Sequence, residues 1–158
     1  MPKIALIGPG AIGGLVAGWL CQDKNNDVSI CVRTSIRRLC LSTPYGNFEA
    51  QPEVLIDKHQ ASPVDWVMVT TKAYDSGSAA AWFPGLLDDE TQVAIIQNGV
   101  DHVDRFSAWL PRERILPVMI DCPTERVEPE KIQQRGAASM VVPDSTMGTA
   151  FTKLFAQT

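Results

Sequence analysis

The residues best suited to chemistry begin with a glycine-rich turn close to the start of the sequence. It fits the pattern G-x-G-x-x-G and consists of Gly8, Pro9, Gly10, Ala11, Ile12 and Gly13. In such a turn the first glycine permits a tight bend, the second lets a pyrophosphate approach the backbone, and the third lets a helix pack closely on a strand. The phosphates then lie at the positive N-terminus of the helix. The pattern predicts a dinucleotide-binding turn, and a purely structural strand-to-helix connection is the alternative.

A cation after the second apolar run indicates which dinucleotide would bind. The run Val-Ser-Ile-Cys-Val ends at Arg33, whereas Asp27 lies at its opposite end. NAD sites usually carry an acidic residue at the end of this strand, while an arginine there can pair with the 2′-phosphate of NADP through two charge-assisted hydrogen bonds. We therefore predict NADP(H) as the cofactor and Arg33 as the residue that binds the 2′-phosphate. A solvated cluster with Arg37 and Arg38 is the alternative.

Two further polar residues follow later apolar runs. Lys72 follows "VDWVMVTT", and Asn98 follows "VAIIQ". Ligands of open parallel sheets bind outside the carboxyl ends of the strands, so we expect both residues to lie beside the glycine turn. A lysine and an amide there could orient a ketone and stabilise the negative charge that develops on its oxygen during reduction. Taken singly, they could also be a solvated lysine and an ordinary Asn-Gly turn.

The elements that must position these residues alternate between strands and helices. Strands are predicted over Lys3–Ile7, Val28–Val32 and the runs "VDWVMVTT", "TQVAIIQNG" and "RILPVMI". Helices are predicted over Ala11–Cys21, Ser35–Leu41, Ser76–Trp82, Val103–Trp109 and the tail from Asp144 to Thr158. The alternation is typical of a Rossmann-like α/β fold with a doubly wound, mostly parallel sheet. Short edge strands are expected around Phe48 and Val54, and a β-hairpin around the Arg-Gly turn of "PEKIQQRGAASMVVPD".

Composition argues against several function classes. The net charge of −4 and the pI of about 5.1 disfavour non-specific nucleic-acid binding. The four cysteines form no Cys-x-x-Cys pair and the two histidines lie far apart, so we predict no metal site. We expect reduced thiols and a cytoplasmic protein. No apolar stretch reaches the ~18–20 residues that a membrane span needs.

Four stretches in combination resemble one known family. They are "IALIGPGAIGG", "CVR", "VMVTTKAYD" and "IIQNGV", which occur in the order found in the cofactor domain of ketopantoate reductases (2-dehydropantoate 2-reductases). The resemblance implies NADPH-dependent reduction of ketopantoate to pantoate, in pantothenate and coenzyme A biosynthesis. It implies that Gly8–Gly13 and Arg33 hold the cofactor, and that Lys72 and Asn98 lie near the nicotinamide, with Asn98 also binding the substrate. It further implies a cofactor contact around Glu125.

The resemblance also implies a second, helical domain that supplies a catalytic lysine and glutamate, and we expect these two residues to have no counterpart in this sequence. We therefore predict an NADP-binding domain over residues 1–143 and the start of a connecting helix over residues 144–158. The chain alone is expected to bind NADP(H) weakly and to reduce ketopantoate very slowly or not at all. Apolar residues including Phe151, Leu154 and Phe155 are expected to be exposed and to favour a homodimer. A reductase for another 2-keto acid or imine, and a non-catalytic NADP-binding or interaction module, are the alternatives.

Overall fold

The computed structural model describes residues 1–156 of the chain. Its strands, in chain order, are β1 (Lys3–Ile7), β2 (Asp27–Cys31), β3 (Leu39–Thr43), β4 (Gly46–Ala50), β5 (Glu53–Leu55), β6 (Trp66–Val69), β7 (Gln92–Ile95), β8 (Ile115–Pro117), β9 (Met119–Asp121), β10 (Thr124–Glu128), β11 (Lys131–Gln134) and β12 (Ser139–Val141). Its α-helices are α1 (Ala11–Leu20), α2 (Ser76–Ala80), α3 (Phe83–Leu86), α4 (His102–Phe106) and α5 (Thr146–Lys153).

Six strands form a central parallel sheet in the order β5-β2-β1-β6-β7-β8. The chain starts at β1, moves outward to β2 and β5, returns to β6 beside β1, and moves outward again to β7 and β8. This is the predicted doubly wound arrangement, and its reversal point lies between β1 and β6. In open sheets of this kind, ligands bind at that point, outside the carboxyl ends of the strands.

Helix α1 lies between the central sheet and a second, smaller sheet. The second sheet has the order β10-β11-β3-β4, and its β11 and β3 are parallel. Added Cβ atoms would lie 2.1 Å from Ile132 Cδ1 at Gly14 and 2.5 Å from Leu41 Cδ2 at Gly18. Gly14 and Gly18 therefore let α1 approach β11 and β3 closely. The central sheet, α1 and the second sheet share one hydrophobic core. The short helices α2, α3 and α4 belong to a second core on the opposite face of the central sheet.

Several predicted elements are wrong in type or place. The helix predicted over Ser35–Leu41 is instead an irregular segment that leads into β3, because Leu39 and Leu41 alternate inward and pair with β4 and β11. The hairpin is present as β10 and β11, but it does not turn at the predicted Arg-Gly pair. Residues after that pair form β12, which pairs with β9. Pro84 lies in the first turn of α3, where a missing N–H costs nothing.

The apolar side chains near the C-terminus are not exposed as predicted. Helix α5 covers part of the predicted helical tail, and residues 157 and 158 lie outside the described residues. Phe151 and Leu154 are only 1% and 7% exposed, and Phe155 is partly buried with its ring centroid 5.2 Å from that of Phe151. These side chains pack on the central core, with Phe151 5.8 Å from the Trp66 ring, so they form no exposed dimerisation patch. The division of the chain at residues 143 and 144 stays a prediction.

Candidate functional site

A cleft with a volume of about 590 Å³ lies at the carboxyl ends of the central strands. This volume is within the range of small-molecule and cofactor sites. The cleft brings together eight of the predicted site residues: Gly8, Pro9, Gly10, Ala11, Ile12, Arg33, Lys72 and Asn98. Gly13 and Glu125 are not among the residues that line it. The fold therefore gathers on one surface residues that are widely separated in the sequence.

The three glycines of the turn differ in what a side chain at each position would contact. Gly8 has φ +88°, which only glycine adopts readily, and a Cβ there would lie 2.5 Å from Thr71 Cγ2. A Cβ at Gly13 would lie 2.2 Å from Thr70 Oγ1 and 2.5 Å from the Gly8 carbonyl oxygen. By contrast, a Cβ at Gly10 would meet no atom within 4 Å. The protein's own packing requires glycine at positions 8 and 13, whereas at position 10 its absence of a side chain keeps open the space beside the helix start.

The start of α1 carries an uncompensated positive field. Gly10 is the N-cap, so no side chain caps the helix, and its first turn contains no acidic residue. The first N–H groups of a helix lack partners within the helix, and its dipole places about half a positive charge at this end. Ala11 and Ile12 line the cleft here. The open space at Gly10 thus faces backbone donors suited to a phosphate, which fits the phosphate groups of a dinucleotide.

Three cationic residues surround this helix start. Arg33 and Lys72 are exposed, and neither forms an ion pair with any residue between 1 and 156. The third is Arg126 of β10, whose guanidinium donates to the Pro129 carbonyl through Nε at 3.2 Å and Nη2 at 2.9 Å. Asp75 is the only acidic residue among the described residues of the cleft wall. The cleft is therefore positive although the chain as a whole carries −4.

Arg126 lines the cleft, whereas its neighbour Glu125, which was predicted from the sequence to contact the cofactor, does not. Side chains of a strand alternate between its two faces, and it is Thr124 and Arg126 of β10 that line the cleft. The Glu125 carboxylate instead accepts a hydrogen bond from Arg135 at 2.6 Å. A cofactor contact of Glu125 stays a prediction. The period-2 pattern of β10 predicts that Glu125 and Arg126 point to opposite faces, but it does not indicate which of the two faces meets the cleft.

Lys72 and Asn98 follow the ends of two adjacent strands, β6 and β7. These strands pair in parallel up to Val69 opposite Ile95, and Lys72 and Asn98 each lie three residues beyond that pair. Between the two segments lies Gln97, which is only 5% exposed and lines the cleft. Gln97 was not predicted from the sequence, because a glutamine after an apolar run carries no signal that its side chain is buried.

An apolar part of the cleft wall offers surface for a flat ring. It includes Cys31 at the end of β2, Ile36, Ala79 and Trp82. Burial raises the pKa of the Cys31 thiol to about 12, so this residue is a neutral, largely apolar group at physiological pH. Residues 1–156 contain no cluster of three or more His, Cys, Asp or Glu suited to a metal ion. Nor does any helix within this range have the length and apolar character needed to cross a membrane.

Comparisons with known proteins agree on one family. The sequence matches the family described as ketopantoate reductase PanE/ApbA over residues 4–146. It is 43% identical to a 2-dehydropantoate 2-reductase of Caulobacter vibrioides, over 100% of this chain and 54% of that protein. The chain thus spans about half the length of the curated relatives it matches.

Solved structures show the same fold. The crystal structure of 2-dehydropantoate 2-reductase from Geobacter metallireducens superposes with a TM-score of 0.88 at 23% identity, covering 98% of this chain and 55% of that one. A D-mandelate dehydrogenase, solved as a ternary structure with NADH and anilino(oxo)acetate, superposes with a TM-score of 0.80 at 23% identity, covering 96% of this chain and 52% of that one.

Proposed function

Because the chain belongs to the ketopantoate reductase family, we propose that it is the NADP(H)-binding half of a reductase that converts 2-dehydropantoate to pantoate in pantothenate biosynthesis. The observation that carries the proposal is the meeting, in one cleft, of the uncapped start of α1 with Arg33 and Lys72, two cations that have no ion-pair partner among residues 1–156. A dinucleotide phosphate needs backbone donors and positive charge together, and the cleft supplies both.

Each part of the cleft has a proposed partner in the cofactor. The backbone N–H groups at Ala11 and Ile12 would bind the pyrophosphate, with Gly10 leaving room for it. Arg33 would bind the 2′-phosphate, because a guanidinium offers two parallel donors to phosphate oxygens. Lys72 and Asn98 would lie at the nicotinamide end. When bound, NADPH supplies the hydride that reduces the ketone.

The proposed catalytic roles of Lys72 and Asn98 are supporting ones. The Lys72 ammonium and the Asn98 amide would donate to the substrate oxygen as negative charge develops on it, and Asn98 would also orient the substrate. Both residues are exposed, so the cleft as it stands does not exclude water from them. Orientation and solvent exclusion are worth ~7–11 kcal/mol in favourable cases. We therefore propose that the 158-residue chain binds NADP(H) weakly and reduces 2-dehydropantoate very slowly or not at all.

A titration tests the cofactor proposal directly. NADPH and NADH are added separately to the chain, and binding is followed by the fluorescence of the reduced nicotinamide. We expect saturable binding of NADPH with weaker binding of NADH, and no binding of either would overturn the proposal. A second assay follows NADPH oxidation with 2-dehydropantoate. A turnover near that of ordinary enzymes, about 10 s⁻¹, would contradict the proposed inactivity of the chain alone.

A second candidate function is supported by the structural similarity to D-mandelate dehydrogenase, which was solved with NADH. On this reading the parent reductase acts on another 2-keto acid, or on an imine, and prefers NADH. A panel of keto acids and imines with both reduced cofactors, assayed on a full-length relative, separates this candidate from the first. If the chain binds no dinucleotide at all, a non-catalytic interaction module becomes the better reading.

The proposal extends to surroundings and partners. All four cysteines are free, which supports a reducing, cytoplasmic compartment. The proposed partner is a small-molecule keto acid, and we propose that the chain binds neither nucleic acid nor membranes. A homodimer is also proposed, although it cannot use Phe151 and Leu154, because both are buried. Light scattering on the purified chain measures its oligomeric state, and a monomeric mass would contradict the dimer.

A further inference from the structure

We propose that Gln97, oriented by Arg105, is a positioning residue that sets the distance between Lys72 and Asn98 at the mouth of the cleft. The functional part of this inference rests on the proposed roles of Lys72 and Asn98. The structural part, a side-chain bridge between two strand ends, stands on the geometry alone. Neither Gln97 nor Arg105 was among the residues predicted from the sequence.

The bridge begins where the backbone pairing of β6 and β7 stops. The last backbone hydrogen bond between them runs from the Ile96 N–H to the Val69 carbonyl at 2.8 Å. In the continuing register, Thr71 lies opposite Gln97. Beyond this point the two segments must be held together by side chains or move independently, because no backbone ladder ties them.

The Gln97 side chain spans the gap between the two segments. Its Nε2 donates to Thr71 Oγ1 at 3.1 Å and, at longer distances, to Ser76 Oγ at 3.4 Å and to the Lys72 carbonyl at 3.5 Å. The residue is 5% exposed, so water competes little for these groups. Buried amides that lose a partner are costly, which favours the bridged arrangement over an open one. One amide thus connects the backbone that carries Lys72 to the residue immediately before Asn98.

Arg105 determines which way the Gln97 amide points. Its Nη1 donates to Gln97 Oε1 at 2.7 Å. A guanidinium only donates and a carbonyl only accepts, so the amide oxygen must face Arg105 and the NH₂ group must face Lys72. The Arg105 side chain is itself 16% exposed and forms an ion pair with Asp101. The opposite orientation of the amide would place donor against donor and acceptor against acceptor.

The backbone of residue 97 is anchored as well. The Gln97 carbonyl oxygen lies 2.6 Å from Nε2 of His102, which is 2% exposed. Because a carbonyl only accepts, Nε2 of His102 carries the proton in this contact. Gly99, with φ +107°, follows Asn98 and would otherwise give this loop freedom to move. Residue 97 is therefore held from α4 at both its main chain and its side chain, which restrains Asn98 beside it.

The inference is tested by removing hydrogen bonds of the bridge in the full chain. Thr71→Val removes the Thr71 acceptor with little change of shape, and Gln97→Glu keeps the contact with Arg105 but removes all the hydrogen bonds that Nε2 donates. Thr71→Ser restores the hydroxyl and serves as the conservative rescue. Thr149→Val, at an exposed position of α5 outside the cleft, is the matched control. Kd is measured for NADPH and for adenosine 2′,5′-bisphosphate, which lacks the nicotinamide, and the Asn98 side-chain amide is followed by NMR.

We expect Thr71→Val and Gln97→Glu to weaken NADPH binding by about 3- to 10-fold while changing the Kd of the bisphosphate by less than about twofold. The Asn98 amide resonances should shift in both variants. Thr71→Ser should recover the NADPH affinity, and Thr149→Val should match the unmodified chain. A defect confined to the nicotinamide-containing ligand is what mispositioning predicts, since a general loss of structure would weaken both ligands.

Two results would overturn the inference. One is unchanged NADPH binding with unmoved Asn98 resonances in Thr71→Val and Gln97→Glu. The other is an equal loss for both ligands accompanied by a lower Tm, which would make the bridge merely structural. Failure of the proposed function looks different, because the unmodified chain would then bind neither ligand. In that case the NMR shifts alone decide whether Gln97 positions Asn98.

Discussion

Arg33 and Arg126 both bring a guanidinium to the cleft, but their surroundings differ. Arg33 is exposed and forms no ion pair or side-chain hydrogen bond with a residue of the described chain. Arg126 is held by the Pro129 carbonyl, and its strand β10 packs against α1. The free guanidinium of Arg33 after β2 suits the 2′-phosphate, a group that NADPH carries and NADH lacks. A guanidinium next to α1 suits the phosphates that both share.

This difference gives a prediction for Arg33. Arg33→Gln should weaken NADPH binding by about 10-fold or more and leave NADH binding nearly unchanged, because only NADPH carries the 2′-phosphate. Arg126→Gln should weaken both dinucleotides to a similar degree. Arg112→Gln serves as the control, since Arg112 pairs with Asp104 and does not line the cleft. An undiminished NADPH preference in Arg33→Gln, measured by fluorescence titration, would contradict the assignment.

The cysteines give a prediction about thiol reactivity. Burial raises the pKa of Cys21 to about 11 and that of Cys31 to about 12. The thiolate is the reactive form and needs access to the reagent, so at about pH 8 Cys31, which is 2% exposed, should be modified far more slowly than the partly exposed Cys40 and Cys122. Mass spectrometry of the chain during timed alkylation measures the order. Early modification of Cys31 in the folded protein would contradict it.

The same pKa shifts have a consequence for alkaline stability. The folded state keeps the protons of Cys21 and Cys31 to a higher pH than the unfolded state, whose thiols titrate near the ordinary value of 9.0. The stabilisation is therefore fully present below pH 9 and is lost as the pH rises towards 11 and 12. Cys31→Ala should reduce this alkaline loss, measured as the change in the free energy of unfolding with pH.

In the turn that joins β1 to α1, we expect one glycine, Gly13, to matter for stability and another, Gly10, to matter for cofactor binding. Gly13→Ala should destabilise the fold by about 1–3 kcal/mol, because the new methyl group would press on the Gly8 carbonyl. Gly10→Ala should change stability by less than about 0.5 kcal/mol, because its methyl group would meet open space. Yet Gly10→Ala should weaken NADPH binding about 10-fold by filling the space proposed for the pyrophosphate. Urea unfolding and NADPH titration of both variants test this, and the reverse pattern would contradict it.

How far the sequence predicts an element depends on where its partners lie. β1 and α1 were predicted within one residue, since each has a clear apolar pattern and the glycine turn marks their boundary. The start of β3 was mistaken for a helix although one partner, β4, follows directly, because its other partner, β11, lies far along the chain and leaves no local trace. The positions of Lys72 and Asn98 could be predicted because each follows a strand of the parallel sheet, and the carboxyl ends of these strands lie together. The Gln97 bridge was not, because burial of a polar side chain depends on tertiary contacts.

For the whole molecule, the contrast between an acidic chain and a positive cleft predicts a salt effect. The net charge of −4 repels anions at long range, while Arg33, Lys72 and Arg126 attract them locally. Salt screens exposed charges, so raising NaCl from about 50 to about 300 mM should weaken NADPH binding several-fold. The slope of log Kd against log salt should flatten in Arg33→Gln. A Kd that does not depend on salt would show that the cationic residues contribute little.

The second sheet has a consequence for the order in which the protein acquires its structure during synthesis. β11 pairs with β3, and Asn26 Nδ2 donates to the Leu154 carbonyl across a sequence separation of 128 residues. Until these late segments leave the ribosome, only β3 and β4 of the second sheet are available to cover the outer side of α1. Closing such long loops slows folding, and the incompletely covered apolar helix is a surface to which chaperones bind. The helix that begins at the glycine turn is thus made early but packed last.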